Sequence, residues 1–117
     1  MTDPELGVGA VVVDDDRLLL VRRRNAPGPG TWSVPGGSVR GGETLAEAVT
    51  RELLEETGLE GVCGPLMGLV EVLPEEPAER HVVVLGYEVP LLGPGEPVAG
   101  DDATAARWVP LVAVADL

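Results

Sequence analysis

Glu52, Glu55 and Glu56 stand at i, i+3 and i+4 in a stretch that also holds Glu43, Glu47 and Glu60. A run of acids is ordinarily a solvated helix face, but the periodicity here argues otherwise. With Leu45 set at 0° and about 100° per residue, Val49, Leu53 and Ala46 fall near 40°, 80° and 100° and form an apolar stripe. On the same wheel Glu56 falls near 20°, Glu52 near 340° and Glu55 near 280°, so the carboxylates border the stripe instead of facing away from it. Like charges at these spacings cost a helix a few tenths of a kcal/mol per pair, and anions late in a helix oppose its macrodipole. A bound divalent cation would reverse that penalty. Oxygen donors without His or Cys indicate Mg²⁺, Mn²⁺ or Ca²⁺ rather than Zn²⁺. No EF-hand loop pattern surrounds them. Magnesium held by a few carboxylates together with substrate phosphates points to phosphate chemistry.

Residues 37–59 read GSVRGGETLAEAVTRELLEETGL. This segment resembles the Nudix box: Gly, five residues, Glu, seven residues, Arg-Glu, an aliphatic, any residue, Glu-Glu, any residue, Gly, an aliphatic. The matching positions are Gly37, Glu43, Arg51, Glu52, Leu53, Glu55, Glu56, Gly58 and Leu59. The preceding Trp32-Ser33-Val34-Pro35-Gly36 also resembles the run before the box, and the resemblance extends over nearly the whole chain. It implies an α/β fold, an α/β/α sandwich with a mixed sheet and a loop–helix–loop metal site. It implies hydrolysis of a nucleoside diphosphate linked to another moiety, with Mg²⁺ or Mn²⁺ as cofactor. By the same resemblance Glu52, Glu55 and Glu56 bind the metal together with the carbonyl of Gly36. Arg51 orients Glu52 by charge-assisted hydrogen bonds, and Glu43 fixes the geometry around them.

Glu52 is the candidate general base. Some family members recruit an acid from a downstream loop, for which Asp102 is the candidate here and Asp101 its rival. Either aspartate can instead simply cap a Gly-Asp-Asp turn. Arg23, in the basic cluster Arg22-Arg23-Arg24, aligns with a family position that touches substrate. Strand alternation separates Arg23 from its two neighbours, so the three cannot all serve one site. Trp32 or Tyr87 could stack on a base. Trp108 reads as core, His81 as a packing or surface residue, and Cys63 carries no motif. The patterns around 80–89 and 100–109 resemble the ADP-ribose pyrophosphatase branch, which implies an ADP-sugar such as ADP-ribose. A MutT-like nucleoside triphosphate pyrophosphohydrolase and a non-catalytic nucleotide-binding module are the alternatives, because the box itself does not choose a substrate.

These residues need elements to position them. Val-rich 7–13 and apolar 17–24, separated by Asp14, Asp15 and Asp16, predict a hairpin whose strands are covered on both faces. Residues 25–30 (NAPGPG) read as a loop, and 32–37 as an extended run that turns. A helix is expected over 45–57, with Thr44 and Glu47 forming a capping box and Gly58 stopping it. Strands are expected over 66–73, 81–89 and 106–109, with loops at 74–79 and 91–102. Residues 111–117 leave room for only a short closing helix, where the family commonly has a full one. Base recognition is then either incomplete or shared with a partner subunit, and apolar surface left uncovered would favour a homodimer.

Composition bounds the remaining classes. One domain over 1–117 is expected from the length. Eight Lys+Arg, all of them Arg, stand against 20 acids, for a formal charge of -12. Sequence-independent nucleic-acid binding needs a basic face and is not expected, nor is a sequence-specific nucleic-acid partner. One cysteine excludes a disulfide framework and a Cys-based zinc site. No apolar run reaches ~18 residues, so no membrane span is expected. The short acidic start does not resemble a signal peptide, and a cytoplasmic setting is the expectation.

Overall fold

The computed structural model describes residues 3–24, 30–77 and 79–117. The loop expected over 25–30 lies outside the described residues except for Gly30. Among the described residues, eight strands form two sheets around one main helix, α1 (Leu45–Thr57). The first sheet joins β1 (Glu5–Val11), β5 (Gly36–Ser38), β6 (Leu66–Val72) and β7 (Val82–Glu88) in the order β5-β1-β7-β6. It is mixed: β1 runs parallel to β7, with Val8 opposite Leu85, and the other pairs are antiparallel. The second sheet centres on β3 (Arg17–Arg23). β8 (Ala103–Pro110) pairs along the length of β3, and β2 (Val13–Asp14) and β4 (Trp32–Ser33) pair with its two ends. A 3-10 helix over Leu111–Asp116 follows β8.

The expected single hairpin is therefore divided. Only Val13-Asp14 folds back on Arg17-Leu18, through a turn in which Asp15 and Asp16 both take positive φ. The rest of the first apolar run, β1, belongs to the other sheet. Buried Val12 lies where the chain crosses between the sheets, and its carbonyl accepts from Leu19 N–H at 3.0 Å. Two-face burial explains why both runs read as continuously apolar. β8 is also longer than the expected strand, because it follows β3 from Arg17 to Arg23.

Helix α1 forms from local signals. The Thr44 side chain accepts from Glu47 N–H, Glu47 in turn accepts from Thr44 N–H, and Gly58 closes the helix at φ 74°. Its buried arc differs from the expected stripe. Ala46 is exposed, and Ala48, Val49, Glu52, Leu53, Glu56 and Thr57 are buried. The core joins Val8, Ala10, Val12, Leu19, Val49, Leu53 and their neighbours, so α1 packs at the place where the two sheets meet. Glu52 and Glu56 thus lie within the buried face instead of along its border. Among the described residues, no helix is long and apolar enough to cross a membrane.

Candidate functional site

The site is built where α1 meets β5 and the turn before β8. One oxygen from each of Glu52, Glu55 and Asp101 lies within 4.8 Å of the other two. Glu52 is 8% exposed and Glu56 4% exposed. Burial pushes the Glu52 carboxyl upward, and the Arg51 guanidinium opposes that push.

Arg51 organises the acids. Its Nε donates to Glu43 Oε2 at 2.6 Å and its Nη2 to Glu43 Oε1 at 3.0 Å, a two-pronged pair. Nη2 also donates to the Ser38 carbonyl at 3.0 Å. Nη1 bridges Glu52 at 2.7 Å and Glu55 at 3.2 Å. Glu43 additionally accepts from Arg40 N–H. Its bonds from Arg51 and Arg40 hold its carboxyl down to about 2.

Glu56 is turned elsewhere. Its Oε1 accepts from Gly36 N–H at 2.8 Å, and Asp102 lines the same crevice beside it. Burial, reinforced by Asp102, raises Glu56 to about 8, against the pull of the Gly36 N–H. These two acids line a narrow crevice with Val21, Arg22, Arg23 and Ala103. Arg23 Nε is buried there without a hydrogen-bond partner. The two aspartates thus divide: Asp101 converges on Glu52 and Glu55, and Asp102 on Glu56. Asp101 takes φ 53°, a conformation Asp tolerates better than most residues. A Gly-Asp-Asp turn is the only sequence signal for this, and it does not say which aspartate turns inward.

Arg23 therefore reaches the acidic site, whereas Trp32 does not share its face. Trp32 pairs with Arg22 in register, so alternation sets it on the side opposite Arg23. There Arg107 lies over its ring, 5.5 Å from the centroid. Tyr87 and Trp108 both pack against the core. His81 bonds Glu71 at 2.7 Å, far along the chain from the box.

Three hard oxygen donors, close together and only partly balanced by the Arg51 and Arg40 guanidiniums, fit a divalent cation of the oxygen-binding type. A family model described as the NUDIX domain matches residues 3–117. The chain belongs to the Nudix family. An ADP-ribose pyrophosphatase from Methanocaldococcus jannaschii is 38% identical over 108 residues, covering 92% of this chain and 63% of that protein. A putative 8-oxo-dGTP diphosphatase from Bacillus subtilis is 31% identical over 104 residues, covering 86% of this chain and 64% of that protein. The chain thus spans a little under two thirds of the length of these curated relatives. The crystal structure of a MutT NUDIX hydrolase from Burkholderia pseudomallei superposes with a TM-score of 0.85 at 32% identity, over 95% of this chain and 86% of that one. The Nudix fold expected from the box is the fold observed.

Proposed function

We propose that residues 1–117 form one Nudix hydrolase domain that cleaves the diphosphate bond of a nucleoside diphosphate linked to another moiety. An ADP-sugar such as ADP-ribose is the favoured substrate and Mg²⁺ the favoured cofactor, with Mn²⁺ able to replace it. The observation that carries this reading is the convergence of Glu52, Glu55 and Asp101. Those three would hold the cation, with Glu56 and Gly36 behind them. The cation, when bound, neutralises diphosphate charge and lowers the pKa of a water. Glu52 is the group placed to accept a proton as general base. Arg51 orients Glu52 and Glu55, and Glu43 fixes Arg51. Arg23, with its unpartnered Nε in the crevice, is the group for a substrate phosphate. Asp102 holds Glu56 in place.

The ADP-sugar is favoured because the Methanocaldococcus relative, named for that activity, matches over more of this chain than the Bacillus relative, 92% against 86%. A second reading, a MutT-like nucleoside triphosphate pyrophosphohydrolase, is supported by the Bacillus relative. A hydrolysis panel with Mg²⁺ tests both: ADP-ribose, NADH, diadenosine polyphosphates, nucleoside triphosphates and oxidised triphosphates. Turnover of ADP-ribose above the triphosphates supports the first reading. The reverse order supports the second, and no turnover of any substrate favours a nucleotide-binding module. Glu52→Gln is expected to lower Mg²⁺-dependent turnover by ~10² or more.

A further inference from the structure

We propose that the outer face of the second sheet binds a compact polyphosphate anion, held by Arg22, Arg24 and Arg107 beside Trp32. Arg17, Arg40, Arg51 and Arg80 each lie within 4.0 Å of a carboxylate. Arg22, Arg23, Arg24 and Arg107 have no carboxylate partner among the described residues. A solvated strand end that merely balanced nearby acids would hold carboxylates against these guanidiniums. In a chain with 20 acids and a net charge of -12, the unpaired cations are instead gathered at one place. Arg23 turns into the acidic crevice, and the other three share the opposite face of the same strand end.

Register fixes that grouping. β3 runs between β4 and β8, since Val21 pairs with Ser33 on one edge and Ala106 on the other. Trp32 stands opposite Arg22, and Arg107 opposite Leu20, so all of them share one face. The Arg107 guanidinium crosses β3 to lie 5.5 Å from the Trp32 ring centroid. The ring thereby holds one cation beside another. Arg22 is braced by its Nε, which donates to the Gly30 carbonyl at 3.2 Å. Arg24 N–H donates to the Asp102 carbonyl at 3.0 Å and carries the ladder past the strand. Alternation then sets Arg24 about 7 Å along from Arg22 on the same face. The adjoining acids are turned away: Asp101 joins Glu52 and Glu55, and Asp102 lines the crevice with Glu56.

These features select the ligand. Guanidinium forks match phosphate oxygens two contacts at a time. Three forks without carboxylates suit several phosphates in one small molecule. The surrounding charge bounds its size, because an acidic peptide or a nucleic-acid strand would run past the patch into the field of a chain at -12. A short polyphosphate chain, free or in a nucleotide, keeps its charge over the arginines.

Tripolyphosphate and ATP, titrated after divalent cations are removed with a chelating resin, test this face apart from the acidic centre. Calorimetry should show one-to-one binding of both, weakening as salt rises. Arg24→Ala and Arg107→Ala should each weaken it roughly tenfold, the loss of a charge-assisted hydrogen bond. Arg80→Ala removes the same charge elsewhere and should change it by less than about twofold, because screened distant charges contribute little. Circular dichroism of the three variants should match wild type. The two tryptophans give an independent readout: the Trp32 indole N–H resonance, assigned through Trp32→Phe, should shift on titration and that of Trp108 should not. No binding at millimolar tripolyphosphate would overturn the proposal, as would an equal loss in Arg80→Ala or a response to ATP alone. Binding abolished by Arg23→Ala but not by Arg107→Ala would place the anion in the crevice and overturn it too. An acidic peptide bound more tightly than tripolyphosphate would overturn the choice of ligand.

Discussion

The carboxylate of Glu52 occupies the space that a side chain on Gly37 would need. A Cβ at residue 37 would lie 2.6 Å from Glu52 Cδ and 2.7 Å from both carboxylate oxygens. Gly37→Ala must therefore move the carboxylate while leaving the backbone in place. Turnover should fall ~10²-fold, the scale of an ångström's misplacement in a catalytic group, with the melting temperature little changed. At neighbouring Gly36 a Cβ would meet the Val8 carbonyl and come within 3.0 Å of Gly9 Cα. Backbone cannot step aside, so Gly36→Ala should instead cost stability, about 1–3 kcal/mol. Kinetics and melting curves on the two variants separate these outcomes. Unchanged turnover in Gly37→Ala would remove Glu52 from the chemistry.

The turn at residues 100–102 is docked on the end of α1. Gly100 N–H donates to the Glu56 carbonyl at 3.1 Å, and a Cβ on Gly100 would lie 2.5 Å from the Glu55 carbonyl oxygen. That close approach brings Asp101 to Glu52 and Glu55. Asp101→Asn keeps the shape and the tolerance for positive φ but removes the charge. It should weaken Mg²⁺ binding roughly tenfold or more, as loss of a ligand charge does, with little change in melting temperature. Asp102→Asn should leave the cation affinity nearer to wild type. Calorimetric titration with Mg²⁺ checks the order, and equal losses would reject the division of labour between the two aspartates.

Much of α1 was legible because its signals are local: a capping box, a stopping glycine and a box of spaced acids all lie within 23 residues. The sheets were less legible. β1 finds its parallel partner β7 more than seventy residues away, and a continuous apolar run does not name its partner. Hence one expected hairpin became strands of two sheets. The arc of α1 that is buried depends on how the two sheets meet, and this moved Glu52 and Glu56 from the edge of the stripe into it. The face of Trp32 was not legible for a related reason: it is set by register against Arg22.

Acid should act on stability through Glu43. Its folded carboxyl sits at about 2, against 4.5 for an unperturbed one. A lowered acid stabilises the fold above the unfolded value, and the contribution is lost as pH falls from 4.5 towards 2. The stability gap between wild type and Glu43→Gln should therefore be widest above about pH 5 and close steadily below it. Denaturant melts between about pH 5 and pH 3 measure it. A gap that stays constant across that range would show that the Arg51 pair does not hold the Glu43 proton off.

Arg51 makes five donor contacts to Glu43, Glu52, Glu55 and the Ser38 carbonyl. A planar fork can satisfy these directions at once, whereas a lysine ammonium offers a single point of charge on a flexible stem. Arg51→Lys keeps the charge but leaves Glu43 or Glu52 without its partner. Stability should drop by about 2 kcal/mol, the scale of a lost hydrogen bond to a charged group. Turnover should drop 10- to 100-fold, on the order expected for a misaligned catalytic carboxylate. The loss should fall on kcat more than on KM, because Arg51 positions the acids and does not touch substrate. Glu43→Gln loosens the same guanidinium from the other side, so the two changes should not add. A double variant no slower than the worse single variant is the expected cycle. Fully additive losses would mean that Glu43 acts on the reaction by a route other than Arg51.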